Sequence, residues 1–89
     1  MSENLDDLRK EINKLDINIL DLIKKRMEVS IKIGNYKKKN KIDILNSGRE
    51  KEVISNLIKY NNINNINLEE EFINDLWNLL MKYSKKIQE

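Results

Sequence analysis

The sequence predicts an all-α domain built from three helices, the first of them very long. The 89 residues include no proline and two glycines, so the chain is poor in the residues that break helices and form the turns of sheet proteins. Between residues 5 and 22, apolar side chains recur at alternating spacings of three and four, which is the period of one helix face. At this length we expect one domain covering residues 1–89.

The first helix is predicted to begin at Ser2 or Asn4 and to end near Asn40, after a lysine-rich last turn. A helix of about 35 residues is roughly 50 Å long. One face of it carries an apolar seam, which Arg26 interrupts. The seam consists of Leu5, Leu8, Ile12, Leu15, Ile19 and Leu22 before the arginine and of Val29, Ile33 and Tyr36 after it.

The length of this helix predicts an obligate homodimer. A compact chain of this size has a radius of gyration of roughly 12 Å, so the rest of the chain is too short to cover the whole seam. We therefore expect a second copy of the chain to cover it. The alternative is a helix that bends or breaks near Gly34, because glycine costs about 1 kcal/mol in a helix interior.

A connection from Asn40 to Asn46 is predicted to lead to a second helix that begins at Ser47. Ser47 is its expected N-cap, and Glu50 is the expected partner of Ser47 in a capping box. The buried face of this helix is predicted to consist of Val53, Ile54, Leu57 and Ile58.

An asparagine-rich loop from Asn61 to Asn67 is predicted to follow the second helix. The third helix should run from Leu68 to about Gln88, with Asn67 as its N-cap and Glu70 three residues later. It carries two adjacent apolar rows, of which the second turns polar near its end. The rows are Phe72, Leu76, Leu79 and Tyr83, and Ile73, Trp77 and Leu80 continued by Ser84 and Gln88.

The composition excludes several classes of function. The chain has no cysteine and no histidine, so it lacks disulfides, thiolate nucleophiles, imidazole bases and the usual nitrogen and sulfur metal ligands. A net charge of +2 is too balanced for an obligate nucleic-acid binder, and the run from Lys37 to Lys41 is better explained as a solvated helix end. No apolar run approaches the roughly 20 residues of a membrane span, and the N-terminus is acidic. We expect a cytoplasmic protein without a metal or cofactor.

Arg26 and Lys37 are the candidate binding residues on the first helix. Lys37 lies eleven residues beyond Arg26, which on an ideal helix is about 20° of azimuth and roughly 16 Å along the axis. The two cations therefore share a face, with Ser30 and Ile33 between them. A cation on a buried face is costly unless an anion meets it. That anion is either a ligand or, as the alternative, the carboxylate of Glu50 or of another helix.

Arg9 precedes Arg26 by seventeen residues, or roughly 25 Å along the axis, so the two cannot meet within one straight helix. In an antiparallel dimer, the partner's Arg9 could approach the middle of this helix. A site shared between chains in this way would suit a small dianion.

The order of these residues resembles that of the all-helical (AroQ-class, type II) chorismate mutases over nearly the whole chain. The matching residues are Leu8-Arg9, Ile12, Leu15-Asp16, Leu22-Ile23, Arg26, Val29, Ile33-Gly34, Lys37, Arg49-Glu50, Ser84 and Gln88. The resemblance implies an intertwined homodimer of three-helix chains, with two active sites that each draw on both chains. It also implies the rearrangement of chorismate to prephenate in aromatic amino-acid biosynthesis.

The resemblance implies how the two carboxylates of chorismate are held. Arg26 and Lys37 of one chain would bind them together with Arg9 of the other chain. Arg49 would add positive charge beside them, and Ser84 would contact a carboxylate.

The resemblance also implies the groups that meet the rest of the substrate. Lys37 and Gln88 would donate hydrogen bonds to the ether oxygen of the breaking bond, and Glu50 would meet the ring hydroxyl. The capping-box reading of Glu50 is the structural alternative. Asn46, a predicted substrate-binding residue, stands where the family often has aspartate, and Asp43 stands where proline is common. The first departure affects substrate orientation, and the second affects the stiffness of the loop.

Three other functions remain open on the sequence. An isochorismate-pyruvate lyase resembles this fold and needs similar cations. A non-catalytic helical dimerisation or regulatory module would dock to another enzyme of the shikimate pathway. Nucleic-acid binding is a remote fourth function.

Overall fold

The computed structural model describes residues 4–89 and contains three α-helices: α1 (Leu5–Lys39), α2 (Ser47–Ile63) and α3 (Glu70–Gln88). No strand occurs among these residues, so the predicted all-α fold class is confirmed. In the same part of the chain, none of the helices has the combination of length and apolarity needed to cross a bilayer.

Helix α1 extends without a break over 35 residues. Asn4 is its N-cap and accepts a hydrogen bond from the backbone nitrogen of Asp7 at 2.9 Å, which confirms one of the two predicted starts. The other, Ser2, lies outside the described residues. The C-cap is Asn40, as predicted. The predicted long helix is confirmed, and the alternative of a break near Gly34 is wrong, because the helix continues through that residue.

The predicted N-cap of α2 is wrong by one residue. Asn46 is the N-cap, and its side-chain oxygen accepts from the backbone nitrogen of Arg49 at 3.0 Å. Asparagine and serine are comparable capping residues, and here the asparagine immediately before Ser47 takes the position. Ser47 thus becomes the first helical residue, and Glu50 falls outside the capping box.

The connection between α2 and α3 also differs from the prediction. Helix α2 continues to Ile63, so Asn61 is helical and not the start of a loop. The Asn61 side chain is buried and forms two hydrogen bonds with the backbone of Leu68. Its amide nitrogen donates to the Leu68 backbone oxygen at 2.9 Å, and its amide oxygen accepts from the Leu68 backbone nitrogen at 3.1 Å. Because Leu68 is bound in this way, α3 begins later, at Glu70. Asn67 has a φ of 65° in the left-handed region and is not the N-cap.

Helix α3 packs against both α1 and α2. Its polar continuation faces the C-terminal half of α1, where the two helices run in the same direction. The buried residues of this packing are Met27, Ser30 and Gly34 on α1 and Ile73, Met81, Ser84 and Gln88 on α3. The second predicted row of α3 is therefore its inner face.

Gly34 permits a close approach between α1 and α3. A Cβ atom on this residue would lie 2.8 Å from Cγ, 2.9 Å from Cβ and 3.0 Å from Cα of Gln88. These distances are shorter than ordinary van der Waals contacts between carbon atoms. The absence of a side chain on Gly34 therefore sets the position of Gln88.

A single chain leaves a large apolar surface uncovered. The six seam residues from Leu5 to Leu22 are 40–64% exposed. The chain measures 59 × 25 × 17 Å, with a radius of gyration of 16.7 Å, well above the roughly 12 Å of a compact chain this long. Contiguous apolar surface of this extent is typical of an interface. The structure of one chain thus has the surface that the predicted homodimer requires.

Candidate active site

A cleft of about 400 Å³ lies between the C-terminal half of α1, the start of α2 and the end of α3. This volume is within the range of small-molecule sites. Of the eight predicted site residues, seven line the cleft and one, Arg9, does not. The lining residues are Arg26, Val29, Ser30, Ile33, Lys37, Ile44, Asn46, Arg49, Glu50, Val53, Met81, Ser84, Lys85 and Gln88.

Arg26 lines the cleft without an acidic partner. Its guanidinium donates a hydrogen bond to the hydroxyl oxygen of Ser84 at 2.6 Å, and no carboxylate of residues 4–89 lies within 4.0 Å of it. The alternative salt bridge from Arg26 to Glu50 is therefore wrong. Burial lowers the pKa of Arg26 through desolvation of the charged form, but an arginine remains protonated at neutral pH. The cleft thus contains a positive charge that is available to an anion.

Lys37 shares the cleft with Arg26, as their spacing on α1 predicts. Its Nζ atom donates a hydrogen bond to the backbone oxygen of Ile44 at 2.7 Å. This bond ties the end of α1 to the connection that leads into α2. Because an ammonium group has three donors, it can hold Ile44 and still donate to a ligand.

Glu50 forms an ion pair with Lys85, whose Nζ atom lies 3.0 Å from the glutamate oxygen. Both residues line the cleft and are partly buried. Sequence reasoning missed Lys85, because a lysine in the last turn of a helix ordinarily complements the helix dipole in solvent. Its spacing from Ser84 and Gln88 carries no signal that separates it from such a lysine.

Arg49 and Asn46 lie at the entrance to α2. The Arg49 side chain is exposed and pairs with Glu52, three residues along the same helix. Asn46 lines the cleft while its side-chain oxygen caps α2. The capping role is an addition to its predicted substrate role and places its amide firmly at the mouth of the cleft.

The charges of the cleft favour an anion. Its lining includes four cations and one carboxylate, and Lys85 already compensates that carboxylate. Arg49 is compensated by Glu52 outside the cleft. Arg26 and Lys37 are left as the cations that most need a negatively charged partner.

A chain of hydrogen bonds joins the buried polar residues of α1 and α3. The Gln88 amide nitrogen donates to the Ser30 hydroxyl at 2.9 Å, and this hydroxyl donates to the backbone oxygen of Ser84 at 3.3 Å. The Ser84 hydroxyl, which accepts from Arg26, points its own proton to the sulfur of Met27 at 3.5 Å. The sequence places Ser30 on the correct face but does not reveal this contact.

Arg9 lies on the exposed N-terminal half of α1, outside the cleft of its own chain. Its separation from Arg26 by seventeen helical residues corresponds to roughly 25 Å. A contribution of Arg9 to this cleft therefore requires a second chain, and it stays a prediction.

Residues 8–89 match the family model described as chorismate mutase type II. The chain belongs to this family. The match covers all three helices apart from the first residues of α1, and the sequence-based resemblance to type II chorismate mutases is thereby confirmed.

One relative of this chorismate mutase type II chain is the "Bifunctional chorismate mutase/prephenate dehydratase" of Aquifex aeolicus (strain VF5). It is 36% identical over 59 residues, which are 66% of this chain and 16% of the relative. The similarity thus covers about a sixth of the relative's length.

Proposed function

We propose that this chain catalyses the rearrangement of chorismate to prephenate. Membership of the chorismate mutase type II family supports this function. The observation that carries it is the pair formed by Arg26 and Lys37, which line one cleft on one helix face and have no carboxylate of residues 4–89 within 4.0 Å. Chorismate is a dianion, and two cations held in this way would bind it.

The reaction suits a site without a nucleophile or an imidazole base. In this rearrangement one carbon–oxygen bond breaks while one carbon–carbon bond forms within the same molecule. The protein must hold the substrate with its enolpyruvyl group folded over the ring, which is a task of positioning. An arginine performs it well, because its planar guanidinium grips a carboxylate with two parallel hydrogen bonds.

Negative charge grows on the ether oxygen as the carbon–oxygen bond lengthens. Lys37 and Gln88 are the donors that we assign to this oxygen. In the empty cleft both side chains are bonded to the protein, Lys37 to Ile44 and Gln88 to Ser30. Donors that the protein orients toward this oxygen stabilise the transition state more than the ground state. A million-fold acceleration requires about 8 kcal/mol, which a few such contacts can supply.

The other predicted site residues complete the proposed binding mode. Glu50, held by Lys85, would accept a hydrogen bond from the ring hydroxyl. Ser84 would donate to a carboxylate, since its proton is engaged only by the weak sulfur acceptor of Met27. Asn46 and Arg49 would form the outer wall of the site.

We further propose a homodimer in which Arg9 of the partner chain completes each site. The exposed seam of α1 supports the dimer. The distance of roughly 25 Å between Arg9 and Arg26 means that Arg9 can serve only the cleft of another chain. The Aquifex relative, whose name joins two activities in one protein, supports an association of this chain with another enzyme of the shikimate pathway.

The deciding experiment offers chorismate and isochorismate separately to the purified chain and identifies the products by chromatography. We expect prephenate from chorismate, together with a native mass of two chains. Salicylate and pyruvate from isochorismate would instead establish the lyase alternative. Turnover of neither substrate by a folded dimer would favour the regulatory module.

The rate should depend little on pH between about pH 6 and pH 8. The Gln88 amide has no proton to lose in this range. Burial lowers the pKa of Arg26 by desolvation of the charged form, but an arginine side chain stays protonated in proteins. Loss of the charged arginine would require a pH well above the working range. A kcat/KM profile measures this directly. As the matched variant, Gln88→Glu should lose activity as the pH rises, since only a protonated carboxyl can donate to the ether oxygen. A steep decline of kcat/KM between about pH 6 and pH 8 in the unmodified chain would contradict the assignment of Gln88 as a donor to the ether oxygen.

Gly34→Ala should lower kcat by roughly 10- to 100-fold while the chain stays helical. The added methyl group meets three carbon atoms of Gln88 at 2.8–3.0 Å, and a displacement of about 1 Å at a catalytic group can cost 100-fold. Steady-state kinetics measure kcat, and circular dichroism measures the helix content. Gly48→Ala is the matched control, because its methyl group would lie 3.5 Å from the Asn46 oxygen, which is an ordinary van der Waals contact. Equal effects of the two substitutions would contradict the close-approach argument.

A further inference from the structure

The Gln88 side chain is buried, and only one of the two polar atoms of its amide has a hydrogen-bond partner among residues 4–89. The residue is 8% exposed, and its side-chain oxygen has no hydrogen-bond partner among residues 4–89. Its amide nitrogen, the group that the proposed mechanism needs, donates to the Ser30 hydroxyl at 2.9 Å. A buried carbonyl oxygen without a partner costs free energy, so this arrangement has a reason to change when a ligand arrives.

The Ser30 hydroxyl can form a hydrogen bond with the Gln88 amide in either of two orientations of the amide. A hydroxyl group both donates and accepts. At present it accepts from the Gln88 nitrogen and donates to the backbone oxygen of Ser84, at the longer distance of 3.3 Å. If the amide turned by half a rotation, the hydroxyl would donate to the Gln88 oxygen and release the amide nitrogen. The terminal torsion of a glutamine is soft, so this rotation is cheap.

Ser30 is buried, and its hydroxyl group bonds to residues of α3. It is 5% exposed and lies on α1 between the cations Arg26 and Lys37. Its contacts with Gln88 and Ser84 link the helix that holds the substrate carboxylates to the helix that holds the ether-oxygen donor. Alanine has a higher intrinsic helix propensity than serine, so the stability of α1 alone does not require a serine at this position.

We propose that Ser30 is a positioning residue for the rearrangement, which orients the Gln88 amide. In the empty cleft its hydroxyl holds the amide through the nitrogen. With substrate bound it holds the amide through the oxygen, and the amide nitrogen becomes available to donate to the ether oxygen. This role rests on the proposed mutase function and acts through Gln88, without contact between Ser30 and the reacting atoms.

The test is a double-mutant cycle of Ser30→Ala and Gln88→Met, with kcat and KM for chorismate measured for all four chains. Ser30→Ala should lower kcat about tenfold and change KM less than twofold, because the substrate carboxylates are held elsewhere. In the Gln88→Met background, which lacks the amide, Ser30→Ala should change kcat less than twofold. Ser55→Ala, at an exposed position of α2, is the control and should change neither.

A second measurement does not depend on turnover. In nitrogen-15 spectra, the side-chain amide protons of Gln88 should exchange with water several-fold faster in Ser30→Ala than in the unmodified chain. Equal losses of kcat in both backgrounds of the cycle, or an unchanged kcat or amide exchange rate in Ser30→Ala, would overturn the role of Ser30. Absence of any chorismate turnover in the unmodified chain would instead overturn the proposed function, so the two failures are distinguishable.

Discussion

Replacement of Arg26 by alanine should lower kcat/KM for chorismate at least about 1,000-fold, which corresponds to roughly 4 kcal/mol of transition-state stabilisation. Arg26 has no carboxylate partner within 4.0 Å among residues 4–89, so its removal leaves no buried acid unpaired. The fold should therefore survive the change. Steady-state kinetics measure the loss, and circular dichroism and native mass report the helix content and the oligomer.

Two variants on the same helix serve as controls for Arg26→Ala. Lys25→Ala removes the same charge at the neighbouring exposed position, which does not line the cleft, and should leave kcat/KM nearly unchanged. Arg26→Lys keeps the charge but loses the planar fork, and we expect an intermediate activity. If Arg26→Ala retained most of its activity while remaining folded, the dianion site would be wrong.

Mixed dimers of Arg9→Ala and Lys37→Ala chains should recover activity that neither variant has alone. In the proposed dimer each site takes Arg9 from one chain and Lys37 from the other. A mixed dimer therefore contains one intact site and one site that lacks both residues. If the chains assort at random, half of the dimers are mixed, and the preparation should reach about a quarter of the activity of the unmodified protein.

The mixing experiment has an internal control in the pair Arg26→Ala and Lys37→Ala. Both residues line the cleft of the same chain, so every site of a mixed dimer would lack one of them and activity should stay low. The chains are refolded together, and mixed dimers are counted by native mass after one chain is labelled. Mixed dimers without recovered activity in the Arg9 pair would contradict the shared site.

Local periodicity explains why so much of the first helix could be predicted. The apolar recurrence in α1 and the capping ability of Asn4 act between residues three or four apart, and such contacts are readable from sequence. Helical spacing also places Arg26 and Lys37 on one face of α1, and both residues line the cleft between the helices. The family resemblance supplied the full set of eight predicted site residues, and seven of them line this cleft.

The predictions failed where two neighbouring residues can fill the same role or where a side chain bonds across a connection between helices. Asn46 and Ser47 are both capable caps, and only the path of the chain selects the first. Asn61 looked like a loop residue because asparagine favours turns. Its side chain instead binds the backbone of Leu68, seven residues further on, from within α2.

The sequence by itself determined the three helices, the two cations on one face of α1 and the family resemblance, because these depend on residue identity and helical spacing. The tertiary structure alone decided the partners of the charged and polar groups. Lys85 pairs with Glu50, Ser84 accepts from Arg26, and Ser30 holds Gln88. These contacts join residues 35 or more positions apart in the chain, so they exist only where α3 packs against the other two helices.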